Sequence, residues 1–87
     1  MEPLDVLVVD DEKNIRSTLT MALETLGCRV SAVATGHDAR QALARRRHDL
    51  CFLDLRLGDE NGVDLLPALL EAAPGLDVII VTAFATV

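Results

Sequence analysis

Four polar residues stand at the ends of short aliphatic runs in this 87-residue chain. The pair Asp10-Asp11 follows Val6-Leu7-Val8-Val9, Asp54 follows Leu50-Cys51-Phe52-Leu53, and Thr82 follows Val78-Ile79-Ile80-Val81. Taken singly, each has a plain reading. An aspartate between a strand and a helix is commonly an N-cap, one that opens a loop is ordinary turn chemistry, and a strand-end hydroxyl usually bonds backbone. Arg56 alone reads as a solvated surface arginine. Taken together, the three acids suggest more. Carboxylates crowded on one spot repel one another and raise each other's pKa. A hard divalent cation relieves this, and Mg²⁺ needs only one or two carboxylates with a carbonyl and waters. Such a cation also neutralises phosphoryl oxygens while a carboxylate attacks phosphorus in line.

Whether the acids meet depends on the elements that carry them. Residues 6–9, 50–53 and 78–81 are apolar at every position, the pattern of strands buried on both faces of a parallel sheet. Residues 29–33 form a more polar strand, as suits an edge. Between the first two strands Ile15, Leu19, Ala22, Leu23 and Leu26 recur at helical spacing, with Asp10 or Asp11 as cap, Glu12 in the first turn and Gly27 at the exit. A second helix is expected over residues 36–46 after Thr35, with Ala39, Ala42 and Leu43 inward. Residues 58–62 read as loop. A third helix carries Val63, Leu66, Leu69 and Leu70 on its inner side, with Pro67 near its first turn and Pro74-Gly75 at its end.

The order β-α-β-α-β-α-β implies right-handed crossovers and an open parallel sheet. Ligands of such sheets bind outside the carboxyl ends of the strands, where strand order reverses. If the first and third strands are neighbours, Asp10, Asp11 and Asp54 share that spot.

Composition narrows the class. Hydrophobic residues make up 51% of the chain, enough for one packed domain, and with two Phe and no Tyr or Trp that core is aliphatic. The formal charge of −6 argues against a nucleic-acid-binding face. The one basic run, Arg45-Arg46-Arg47 with His48, reads as a solvated helix C-terminus. Cys28 and Cys51 lack ligand spacing and read as core filler in a reducing compartment. With no signal peptide or membrane-length apolar run, the expectation is a cytoplasmic protein.

The segments VLVVDDE (residues 6–12), DLCFLDLRLGDENG (49–62) and VIIVTAFATV (78–87) together resemble the receiver domain of bacterial two-component response regulators. The resemblance spans essentially the whole chain, 1–87. It implies the CheY-like, flavodoxin-like doubly wound fold with strand order 2-1-3-4. It also implies a fifth strand and further helices, with a phosphate-contacting lysine and an aromatic switch residue, that these residues do not include. Lys13, the one lysine here, lies at the start of the first helix and does not match that position. On the resemblance Asp54 is the phosphoacceptor, Asp11 binds Mg²⁺ directly, and Asp10 does so directly or through water. Arg56 contributes its backbone carbonyl to the metal, Thr82 is the switch hydroxyl, and Ala83 is the small residue that keeps the phosphoryl group accessible. Many receivers carry proline where Gly58 stands, so a more flexible loop is expected there. The ending Thr-Ala-Phe-Ala-Thr-Val is most similar to receivers of the NtrC type. This implies a sensor histidine kinase as phosphodonor and an output module in the parent chain, an AAA+ ATPase serving σ54-dependent transcription.

Two other readings compete. A Mg²⁺-dependent phosphohydrolase with an aspartyl nucleophile commonly uses Asp-x-Asp, but Arg56 stands two after Asp54. A non-phosphorylated interaction fragment would leave the fourth strand as an open apolar edge, from which a homodimer or segment exchange is expected.

Overall fold

A computed structural model of the chain describes residues 2–81. Strand β1 (Asp5–Val9) leads to helix α1 (Lys13–Thr25), strand β2 (Arg29–Val33) and helix α2 (Gly36–Arg45). Strand β3 (Leu50–Asp54) is followed by two short strands, β4 (Arg56–Leu57) and β5 (Glu60–Asn61). Helix α3 (Gly62–Ala72) and strand β6 (Asp77–Val81) complete the described chain. The four long strands form one parallel sheet in the order β2-β1-β3-β6. With β6 as the fourth long strand, this is the expected 2-1-3-4 order. The order reverses between β1 and β3, so the C-terminal ends of those two strands flank a switch point.

The apolar runs behave as their composition requires. Val6, Leu7, Val8 and Val9 are all fully buried, because β1 is central and covered on both faces. Leu7, Val9, Cys51 and Leu53 share one face with Ala39 and Leu43 of α2 and Leu65 and Leu69 of α3. Val6 and Val8 point to the other face by strand alternation. Helix α1 packs on β1 and β2, and the right-handed crossover rule sets it on that face, since the chain steps from β1 to β2 in one direction and from β2 to β3 in the other. Burial pushes the Cys51 thiol up to about 12, which keeps it an inert core residue as expected.

Several local expectations change. Helix α1 starts at Lys13 with Glu12 as N-cap and no side-chain cap bond, so neither Asp10 nor Asp11 caps it directly. Its exit does follow the glycine rule. Gly27 has φ +92°, Gly27 N–H bonds the Glu24 carbonyl, and Cys28 N–H reaches back to Leu23, which is a Schellman closure. The α1 stripe is shallow. Ile15, Leu19 and Leu23 are half-buried, whereas Ala22 is exposed and Leu26 is 79% exposed.

Helix α3 turns a different face inward from the one expected: Leu65 and Leu69 are buried, Leu66 is half-buried, and Val63 and Leu70 are exposed. Pro67 lies inside the helix beyond its first turn. It therefore removes the N–H that would bond the Val63 carbonyl.

The basic run is not simply solvated. Arg46 pairs with Asp5 at 2.6 Å and Arg47 with Asp49 at 3.4 Å. His48 is buried, with Nδ1 3.1 Å from the Arg46 carbonyl and Nε2 3.4 Å from Ser31 Oγ. Because a carbonyl only accepts, Nδ1 carries the proton and Nε2 faces the serine hydroxyl. Arg29 adds a two-pronged contact to Asp5, Nε–Oδ1 and Nη2–Oδ2 both at 3.0 Å. Its hydrogen bond is the main reason the Asp5 carboxyl is held below its usual range. These pairs knit the N-terminal ends of the strands and leave the opposite end for the acids.

Candidate functional site

The acids converge at the C-terminal ends of β1 and β3. Each of Asp10, Asp11 and Asp54 has a carboxylate oxygen within 4.8 Å of one from both of the others. The register explains why. Val9 pairs with Leu53 across the two strands, so the next residues, Asp10 and Asp54, leave the sheet side by side. Asp10 is 2% exposed and Asp54 is 8% exposed, while Asp11 lies in the open turn before α1.

Each acid is held by bonds that fix its carboxylate without neutralising it. Asp10 Oδ1 accepts the Glu12 N–H at 2.9 Å, closing the turn into α1. The Asp10 backbone is clamped twice, its N–H donating to the Val33 carbonyl at 3.1 Å and its carbonyl accepting from Arg16 Nη1 at 2.9 Å. Asp11 Oδ2 accepts the Gly58 N–H at 2.8 Å. Asp54 Oδ1 accepts the Arg56 N–H at 3.3 Å.

Burial is the main cause that pushes the Asp54 carboxyl above its usual range, and the charges of Asp10 and Asp11 push the same way. The Arg56 and Leu55 amides oppose them, and the net shift is upward. This is the frustration expected of carboxylates gathered without a countercharge. Three hard oxygen donors this close fit a Mg²⁺ ion far better than a thiophilic metal.

The segment after β3 is more ordered than the loop reading anticipated. Arg56 pairs with Asn61 and Leu57 with Glu60 in a small antiparallel hairpin, whose turn is Gly58-Asp59. Buried Leu57 anchors it in the core. Gly58 has φ +60° and, among the described residues, no non-glycine residue has positive φ, which matches a type II′ turn with glycine first. The expected looseness at Gly58 gives way to a bond from its amide to Asp11. Asn61 then caps α3 by accepting the Val63 N–H at 2.9 Å.

Sequence reasoning passed over three groups at this site. The Arg16 guanidinium and the Gly58 amide act through backbone atoms, which residue types do not advertise. Gly62, read as the end of the loop over residues 58–62, turns out to be sterically required: a β-carbon there would lie 2.1 Å from the Asp54 carbonyl oxygen. The Arg56 backbone lies beside Asp54 through its N–H. Thr82 and Ala83 lie outside the described residues.

Comparison with known proteins agrees with this geometry. Residues 6–87 match the family described as the response regulator receiver domain. The alginate biosynthesis transcriptional regulatory protein AlgB of Pseudomonas aeruginosa is 44% identical over 82 residues, covering 94% of this chain and 18% of that protein. The DNA-binding transcriptional regulator NtrC of Azospirillum brasilense is 35% identical over 83 residues, covering 95% of this chain and 17% of that protein. The chain thus spans less than a fifth of the length of these curated relatives. Among solved structures, the response regulator TrrA of Thermotoga maritima, in complex with Mg²⁺ and BeF, superposes with a TM-score of 0.85 at 27% identity, covering 98% of this chain and 72% of that one. A family match across nearly the whole sequence, together with a sheet that opens on three clustered acids, places this chain in the response regulator receiver domain family.

Proposed function

We propose that this chain is a phosphoacceptor module in which Asp54 is the nucleophile. The observation that carries this reading is the buried Asp54 carboxylate clustered with those of Asp10 and Asp11. Asp10, Asp11 and Asp54, with the Arg56 backbone carbonyl, would hold Mg²⁺. When bound, the ion supplies positive charge to the acids and to the equatorial oxygens of the incoming phosphoryl group.

The protein's own groups do the rest. Asp10 is fixed by the Glu12 amide and the Arg16 guanidinium, so its carboxylate keeps one orientation. The Arg56 N–H holds one oxygen of Asp54. The other attacks phosphorus, forming an O–P bond as the P–N bond of a phosphohistidine breaks and the imidazole takes up a proton. The Thr82 hydroxyl is assigned to hydrogen-bond the transferred phosphoryl group.

The phosphodonor is a sensor histidine kinase. The parent protein carries an output module of the kind found in σ54-dependent activators, the reading favoured by the likeness to NtrC and AlgB. No helix among the described residues is long and apolar enough to cross a membrane, which is compatible with a cytoplasmic location. The domain is a signalling part whose chemistry is confined to its own phosphorylation and dephosphorylation.

Incubation with Mg²⁺ and acetyl phosphate, followed by intact-mass measurement, tests the reading. One phosphoryl mass is expected on the wild-type chain and none on Asp54→Ala. Uptake by Asp54→Ala refutes the assignment.

A further inference from the structure

We propose that the Gly58 backbone amide is a positioning group for Asp11, so that the β4–β5 hairpin is a working part of the cation site. The proposal rests on the reading of Asp10, Asp11 and Asp54 as a Mg²⁺ site.

The argument starts from the turn. In a two-residue hairpin the turn's own hydrogen bond is donated by the fourth residue's N–H to the first residue's carbonyl, so the first central N–H is left over. Here that leftover donor belongs to Gly58, and it lies 2.8 Å from Asp11 Oδ2. The bond crosses from the β3–α3 connection to the β1–α1 connection. Asp11 is exposed and sits in the turn before α1, so its carboxylate has no wall of side chains to orient it. An amide donor on one oxygen restricts that carboxylate, and its other lone pairs remain for a metal.

Glycine serves twice at this position. It takes φ +60° without strain, and it keeps the N–H that proline would remove. The hairpin is firmly based, because Leu57 is buried on one side of the turn and Asn61 caps α3 on the other. The amide therefore approaches Asp11 from a fixed platform. Partners that orient a metal ligand typically change metal affinity by roughly 10–100-fold when lost.

Two substitutions bear on the amide. A β-carbon at position 58 would meet nothing within 4 Å, so Gly58→Ala strains φ but keeps the N–H and clashes with nothing. Gly58→Pro removes the N–H and, with φ fixed at about −65°, also gives up the turn geometry, so the exchange comparison is what isolates the amide. In calorimetric Mg²⁺ titrations, Gly58→Ala is expected to bind within about twofold of wild type and Gly58→Pro about tenfold more weakly. In hydrogen exchange followed by NMR without metal, the Gly58 amide is expected to be protected in wild type. In Asp11→Ala that protection is lost, while the Leu53 amide in β3 is unaffected. This comparison decides the question if Gly58→Pro fails to fold.

Equal Mg²⁺ affinity for the two Gly58 variants overturns the proposal and leaves the metal site standing. A Gly58 amide that exchanges equally fast in wild type and Asp11→Ala does the same. Absence of Mg²⁺ binding by the wild-type chain overturns the metal reading itself, and this proposal with it.

Discussion

Asp54 and Gly62 touch backbone to backbone: the Asp54 carbonyl oxygen occupies space within 2.1 Å of where a β-carbon on residue 62 would be. The Gly62 N–H also bonds the Leu55 carbonyl at 2.7 Å. The first turn of α3 is therefore pressed directly onto the end of the strand that presents Asp54. No rotamer relieves that overlap, because both partners are main chain. Gly62→Ala must push α3 away from β3 and is expected to cost about 1–3 kcal/mol, the usual range for overpacking. A lowered urea midpoint at unchanged slope would record it. A midpoint equal to wild type would mean the helix start yields freely.

The elevated Asp54 carboxyl gives the folded state a defined pH dependence. Its folded pKa lies above the unfolded one, so the native state holds the proton more tightly. The resulting stabilisation is present below the unfolded pKa and is lost as pH rises through the folded pKa. Without metal, Asp54→Asn is expected to raise the urea midpoint at neutral pH, because it removes a buried charge that Asp10 and Asp11 also repel. It should also flatten the stability curve from the usual carboxylate range upward, where the raised Asp54 carboxyl titrates. With saturating Mg²⁺ the order should reverse, since the ion stabilises the chain that binds it more tightly. An Asn variant no more stable than wild type in chelator would show that neither burial nor the neighbouring acids penalise the Asp54 charge appreciably.

The sheet was legible because β1, β3 and β6 are apolar at nearly every position and end on polar residues, a pattern that few other arrangements share. Asp10, Asp11 and Asp54 are expected to converge for the same reason: pairing Val9 with Leu53 sets Asp10 and Asp54 side by side, with Asp11 next in the chain. What escaped was carried by main-chain atoms or by elements too short to show a period. The two-residue strands β4 and β5 have no alternation to detect, and the Gly58 amide is invisible in a string of side chains. The burial of His48 was hidden by the three arginines before it, whose charges suggest solvent although Arg46 and Arg47 turn to Asp5 and Asp49. The expectation of a helix starting just after Thr35 fared better. Thr35 caps α2 by accepting the Asp38 N–H at 3.1 Å, and a side chain on Gly36 would strike Leu65.

Helix α3 shows most clearly where periodicity fails. Its sequence, Gly-Val-Asp-Leu-Leu-Pro-Ala-Leu-Leu-Glu-Ala, offers leucine pairs at neighbouring positions, so two adjacent stripes satisfy helical spacing equally well. Packing against α2 chooses between them: Leu65 lies over Gly36, and Leu69 follows one turn later, 0% exposed, while Leu70 is 41% exposed. The two leucines should respond very differently to truncation. Leu69→Ala leaves a cavity in the shared core and is expected to cost about 2–5 kcal/mol. Leu70→Ala removes a side chain largely in water and is expected to stay within roughly 0.5 kcal/mol of wild type. Urea unfolding of both variants under one buffer separates the alternatives, because the stripe first read from the sequence has both leucines facing inward and predicts comparable losses. Comparable losses would place the helix one notch round from the position that sets Gly62 against Asp54.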